Sequence, residues 1–449
     1  MILTSTKRKR FVVLGLDGLP ASLAVKMAAR LPNLNRIAGK NKPLTAETPE
    51  LSPVNWTSFF TAAGPETHGV YGFTKLDRSS YTLSINNFDN VYGSTIFDRI
   101  GEKGLVSKVI NLPNTYPARP LRGMLISGFV ADSLEKAVYP QFLLAPLKKS
   151  GFILEADTTK GLMDPQYLID QVSKTLECRL NAFEMLWNDL AWDLFVIVFT
   201  ETDRLFHFLY PAFEDTNHPL HNVCMNFMIK WDAAIGRVLD KFDTLPGDKK
   251  LISFADHGFT SLKTEVDLNA FLIQKGLLSL KHIPSDQWDS TAISDESKAF
   301  ALDPGRIYIH TAEKFDRGQV SRHEVKSIAE NIAFDLMKLE FNGQQVMESV
   351  QTTTELYGET AIGNPPDLIC TAKPGFDLKA KFDRKDIFGF FGRTGTHTRG
   401  DAFFYSSDGE QADLMRDTGK MILNWFNISP SPAPHARRRQ KNDRFQKRT

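Results

Sequence analysis

The order of apolar and polar positions divides the chain into alternating strand-like and helix-like segments. "FVVLGLDG" (11–18) is a continuous apolar run, the pattern of a strand covered on both faces, and it stops at Asp17 and Gly18. Residues 21–39 carry helical spacing interrupted by Pro32. "PVNWTSFFTAAG" (53–64) predicts a helix with proline in its first position and Gly64 at its end. "LVSKVINLP" and "GMLISGF" predict further strands, and "WDLFVIVFTETD" (192–203) a strand with an acidic end. Residues 217–242 predict a long helix. It leads into "KKLISFADHG", an apolar strand that delivers Asp256 and His257 to its own end.

Strands alternating with helices predict an α/β fold, a doubly wound and mostly parallel sheet flanked by helices. From about 261 to 362 the pattern is more polar, with "IPSDQWDSTAISDESKA" as a loop and "RHEVKSIAENIAFDLMKL" as a helix. This predicts an inserted α+β cap. "NPPDLICTA" (364–372) then predicts a return to the sheet, and "THTRGDAFFYSS" the last part of the site and core. The expected organisation is a discontinuous core over 8–260 and 363–428, a cap over 261–362, and a basic, disordered tail over 429–449.

Composition narrows the class. The chain has 449 residues, 42% hydrophobic and 24% charged, which is ordinary for a globular enzyme. The net charge of +1 gives no global field for nucleic acid or membrane. The last fourteen residues, "ARRRQKNDRFQKRT", hold +6 and leave the rest at −5, so any nucleic-acid contact would be a weak one through the tail. Cys178, Cys224 and Cys370 are odd in number and far apart, without disulfide or zinc-knuckle spacing, which suits a reducing compartment. The N-terminal apolar run is too short for a secretory signal, and none reaches the roughly 18 residues of a membrane span. The sequence therefore predicts a soluble, cytoplasmic protein and leaves its oligomeric state open.

Candidate chemistry gathers at strand ends. Three strand-like runs end in the carboxylates Asp17, Asp203 and Asp256. In open α/β sheets, ligands bind beyond the carboxyl ends of the strands. Three acids there repel one another unless cations or protons neutralise them. His257 adjoins Asp256, and His207 follows Asp203 by four residues, one helical turn away. His397 lies in the glycine-rich "GRTGTHTRGD". Aspartate with neutral imidazole suits zinc, manganese or iron better than calcium. Each piece alone has a plainer reading, Asp17 as a helix cap and His207 as a packed core residue. Their conjunction carries the weight.

"LGLDG", "TETDRLFH", "ADHG" and "GTHTRGD" occur in the order and spacing of the alkaline phosphatase superfamily. The chain most resembles its nucleotide pyrophosphatase/phosphodiesterase branch and related phosphohydrolase/phosphomutase proteins. That resemblance implies two divalent metal ions, zinc first and manganese as the alternative. One would be held by Asp203, His207 and His397, and the other by Asp17, Asp256 and His257. It also implies that such a pair clamps the attacking and leaving oxygens of an in-line displacement.

The nucleophile must come from "TPELSPVNWTSFFTAAGPETHG" (48–69), where Thr48, Ser52, Thr57 and Ser58 are the candidates. Ser52 precedes Pro53 and reads as a helix cap, yet a helix N-terminus also favours an alkoxide and a bound phosphate. Thr57 would lie deep in the helix. The family pattern places its Thr or Ser nine residues before a Thr-Gly pair followed by "P-x-x-H-G". Here Thr61 is nine after Ser52 and "PETHG" follows, with Ala62 in place of the glycine. By that resemblance Ser52 is the nucleophile and a metal ligand, and Asn55 donates to a non-bridging phosphate oxygen. His68 reads as structural.

The expected activity is two-metal hydrolysis of a small phosphorylated substrate, a phosphodiester or nucleotide pyrophosphate, through a phosphoseryl intermediate. A phosphomonoesterase or phosphomutase is the alternative. Arg393 and Arg399 flank His397 and could supply the extra positive charge a monoester needs. A sulfatase fits less well, because "SPVNW" lacks the "C/S-x-P-x-R" signature. The non-enzymatic rival is a metal-stabilised binding module with a basic tail.

Overall fold

The computed structural model describes residues 8–430. The expected tail therefore lies outside the described residues, apart from its first two positions. A seven-stranded sheet forms the centre, in the order 404–406, 248–254, 9–16, 194–199, 107–112, 123–127 and 138–139. Its five inner strands are parallel, and the two edge strands are antiparallel. Lys9–Leu16 and Leu194–Phe199 are almost wholly buried, as their unbroken apolar runs require of strands with helices on both faces.

Helices Pro165–Trp187 and His221–Asp243 pack beside this sheet with helices Ser52–Thr61 and Met415–Trp425. The helix expected over 53–64 ends at Thr61, because Ala62 takes the left-handed conformation (φ 54°) and Gly64 opens the next short helix. Among the described residues no helix is long and apolar enough to cross a membrane.

A second apolar cluster is built from residues between Val266 and Phe382, with Leu76 and Tyr81 added. Around it stand a four-stranded sheet (299–302, 306–309, 368–372 and 347–352) and a three-stranded one (376–379, 264–267 and 388–389). Here one expectation fails. Leu368–Ala372 pairs with 306–309 and 347–352, not with the large sheet. The chain rejoins the large sheet only at Phe404–Ser406, antiparallel to 248–254. A five-residue apolar run offers the same pattern to either sheet, and only long-range pairing decides between them.

Candidate active site

Each of the three acids is set by a sheet strand and the turn after it. Asp17 follows Leu16 directly, and Gly18 turns the chain with φ +69°. A Cβ on Gly18 would lie a tight 3.2 Å from the Asp203 Cα, and the left-handed conformation itself favours glycine. Gly18 N donates to Asp256 Oδ1 at 3.1 Å, tying two strand ends together. The strand Leu194–Phe199 ends earlier than expected, and Asp203 sits in the first turn of helix Glu201–Leu209. That helix puts His207 one turn on, on the same face. Asp256 and His257 follow strand Asp248–Phe254. The short strand Gly258–Ser261 then pairs antiparallel with Gly395–Thr398, placing His397 opposite Phe259.

The six side chains meet in two sets. The ligand atoms of Asp203, His207 and His397 all lie within 4.8 Å of one another, as do those of Asp17, Asp256 and His257. In the first set, Asp203 Oδ1 is 3.4 Å from His207 Nε2 and 3.5 Å from His397 Nε2. In the second, His257 Nε2 is 3.3 Å from Asp256 Oδ2 and 4.0 Å from Asp17 Oδ1. The sets adjoin, because His257 Nε2 is also 3.7 Å from Asp203 Oδ1. The His397 ring is aimed by its Nδ1 hydrogen bond to Glu50 O (2.9 Å), and His257 Nδ1 faces Gly258 O (3.1 Å). Backbone contacts of this kind fix which ring nitrogen faces a metal.

Asp17 Oδ1, Asp203 Oδ1 and Asp256 Oδ2 are buried without a hydrogen-bond partner. Buried carboxylate oxygens are normally satisfied. One orphan from each of three converging acids fits a cation between them. The charge balance agrees. Burial, then Asp256 and Asp203, push the Asp17 carboxyl well above the ordinary range. Burial works the same way on Asp203, but His207 and Arg204 outweigh it and hold that group well below. Burial also holds the His207 and His257 imidazoles below their usual range, in the neutral form a metal requires. The donor chemistry of both sets fits divalent zinc or manganese.

Ser52 Oγ lies 3.3 Å from His257 Nε2 and makes no cap bond, so it faces the cluster and does not close the helix end. Asn55 does not fill its expected place. It has no exposed surface, its Oδ1 accepts from Glu47 N (2.7 Å), and its Nδ2 donates to Leu51 O (3.1 Å). It braces the 47–51 loop from behind. Arg399 also turns away, donating to Ala46 O at 3.2 Å, whereas Arg393 reaches His207 Nδ1 at 3.4 Å. His68 is buried between Ser58 Oγ (3.0 Å) and Val70 N (3.2 Å).

Two neighbours were not singled out from the sequence. Arg204 bonds Asp203 Oδ2 and donates twice to Glu155 at 3.0 Å, which leaves Asp203 Oδ1 free to face the cluster. Arg204 was visible inside "TETDRLFH"; Glu155 comes from a remote loop and carried no local signal.

A pocket of about 1430 Å³ opens over the cluster. Its lining includes Ser52, Asp203, His207 and His397, the rings of Phe73, Phe129 and Phe208, and much of residues 376–391.

Known proteins share this fold. The fold is similar to phosphonoacetate hydrolase from Sinorhizobium meliloti 1021 in complex with phosphonoformate (TM-score 0.60, 14% identity, covering 93% of this chain and 96% of that one). It is also similar to an inactive form of murine ectonucleotide pyrophosphatase/phosphodiesterase 5 in complex with AMP (TM-score 0.57, 12% identity, 95% and 97%). The human protein of that name is similar at TM-score 0.55 and 13% identity, over 95% and 97%. The comparison with curated proteins found no match. The sequence profile of type I phosphodiesterase/nucleotide pyrophosphatase matches residues 11–398. The chain therefore belongs to the type I phosphodiesterase/nucleotide pyrophosphatase family, phosphoester hydrolases of the alkaline phosphatase superfamily.

Proposed function

We propose that this protein hydrolyses phosphodiester or nucleotide pyrophosphate bonds with two divalent metal ions, zinc favoured, through a phosphoseryl intermediate on Ser52. The observation that carries the reading is the set of three orphaned carboxylate oxygens converging with neutral imidazoles beside one serine hydroxyl. Asp203, His207 and His397 would hold one ion, and Asp17, Asp256 and His257 the other, with Ser52 Oγ at the second set. When bound, the ions supply charge stabilisation for the phosphoryl oxygens and lower the cost of forming the serine alkoxide.

The chain's own residues do the rest. Ser52 Oγ forms a bond to phosphorus as the bond to the leaving oxygen breaks, and the alcohol or nucleotide departs with a proton. Water then cleaves the phosphorus–Oγ ester and restores the hydroxyl. Glu50 holds the His397 ring through its backbone carbonyl, and the Arg204–Glu155 pair holds Asp203. Phe73, Phe129 and Phe208 offer apolar surface to the ester's organic group, and the AMP complex of the murine neighbour favours a nucleotide there. Three free, buried cysteines accord with a reducing, cytoplasmic setting.

The test is Ser52→Ala assayed on bis(4-nitrophenyl) phosphate with zinc or manganese added back. Turnover should fall by at least about 10³-fold, the scale of losing a nucleophile. Turnover at the wild-type rate would exclude Ser52.

A further inference from the structure

Arg179, in helix Pro165–Trp187, has no exposed surface. A guanidinium taken wholly out of water needs acceptors for its donors. Arg179 finds them in its own helix and on three separate segments beyond it. Nη1 donates to Thr175 O at 3.1 Å and to Ile153 O at 3.0 Å, and Nη2 donates to Leu154 O at 2.9 Å. Nη2 also reaches Asn111 Oδ1 at 3.3 Å, and Nε faces Glu201 Oε1 at 3.3 Å.

Each of the three segments leads to Asp203. Ile153 and Leu154 precede Glu155, whose carboxylate takes two bonds from Arg204 at 3.0 Å, and Arg204 in turn bonds Asp203 Oδ2. Glu201 opens the helix that carries Asp203 and His207. Asn111 is the third path. The pairing of strand 107–112 with strand 194–199 stops at Ile110 and Ile197, and its pairing with 123–127 shifts register between Ile110 and Leu112. At that break Asn111 takes the left-handed conformation (φ 59°), and its Nδ2 donates to Val198 O at 2.8 Å, one residue past the last pair. The side chain thus holds the strand end that feeds the Asp203 helix, where the main-chain pairing has stopped. Such a conformation is costly for a residue with a Cβ and persists where its neighbours over-determine it.

We propose that Arg179 is a positioning residue for the Asp203, His207 and His397 metal set. It fixes the Glu155 loop, the strand end at Val198 and the first turn of the Asp203 helix as one unit, and so keeps Asp203 Oδ1 turned to the cluster. A lysine cannot replace it, because one ammonium on a flexible stem lacks the rigid fork that addresses several segments at once. The Asp17, Asp256 and His257 set stands on other strand ends and receives no bond from Arg179. The proposal rests on the two-metal reading above.

The test is calorimetric zinc titration of the full-length protein, with His207→Ala identifying which binding step belongs to the Asp203 set. Arg179→Met keeps the stem and removes the fork. It should weaken that step by about 10-fold, the lower end of what partners outside the ligand sphere cost, and leave the other step nearly unchanged. Asn111→Gly keeps the left-handed backbone and loses only the amide, so it should weaken the same step by a smaller factor, and it carries the test if Arg179→Met does not fold. Arg179→Met combined with Glu155→Gln should cost less than the product of the two single losses, since both act through Arg204. A merely structural role would lower the melting temperature, followed by circular dichroism, and leave the two steps equally affected. Equal weakening of both steps, a full product in the double variant, or unchanged zinc binding in the folded variants overturns the assignment. If the parent protein takes up no zinc, the two-metal reading fails and this proposal with it. If the parent binds two ions and the variants do not discriminate between them, only the role of Arg179 falls.

Discussion

Asp256 shows how much a single residue can commit. Its Oδ1 accepts the Gly18 amide while its Oδ2 is left bare in the interior. Replacing it by asparagine keeps the shape and removes the charge. Asp256→Asn should weaken zinc binding by at least about 100-fold, since even partners outside the ligand sphere cost 10- to 100-fold. Competition with a chelating dye measures it. His68 makes the opposite case, a histidine that is wholly structural. Burial, then Arg416, lower its pKa from 6.5 to about 3. A lowered folded value means the unfolded chain takes up the proton first. This contribution to stability is complete above pH 6.5 and is lost as pH falls towards 3. At pH 5 the loss is about 2 kcal/mol. Urea melts of His68→Gln at pH 7 and pH 5 should show a smaller acid loss than the parent by about that amount. The sequence reading took His68 as structural, in agreement with its burial between Ser58 and Val70. It misplaced Asn55, because an asparagine three residues into a helix can face either way, and only the 47–51 loop packed behind it decides which.

At the scale of elements, the site depends on how closely two segments approach. Gly395 opens the strand that carries His397, and a Cβ there would lie 2.2 Å from Phe206 O in the helix that carries His207. Gly395→Ala should push strand and helix apart, costing about 1–3 kcal/mol of stability. It should also weaken metal binding at the Asp203, His207 and His397 set more than at the other. Calorimetric zinc titration, with two resolved sites, would show that asymmetry, and equal weakening would exclude it. The five central strands were legible as apolar-rich segments, the 11–16 strand as an unbroken apolar run, because a strand covered on both faces needs no alternation. Leu368–Ala372 was equally apolar but joined the second sheet, since apolar character does not name a partner strand.

For the whole molecule, three buried acids in one cavity are a standing electrostatic cost that a cation relieves. Zinc at about 100 times its dissociation constant should therefore stabilise the folded state by about 2.7 kcal/mol per site. Thermal melts with and without a chelator measure this, and identical melting temperatures would count against a metal at these residues. What the sequence determined by itself was the class of fold and the identities of the clustered acids and histidines. Both follow from local rules, the apolar run that stops at a carboxylate and the four-residue spacing on a helix. Which side chains point inward, which sheet a short strand joins, and which arginine reaches the histidines were decided by tertiary structure alone. These depend on contacts between residues far apart along the chain, 186 positions for Arg393 with His207 and 49 for Glu155 with Arg204, and no local pattern encodes such a pairing.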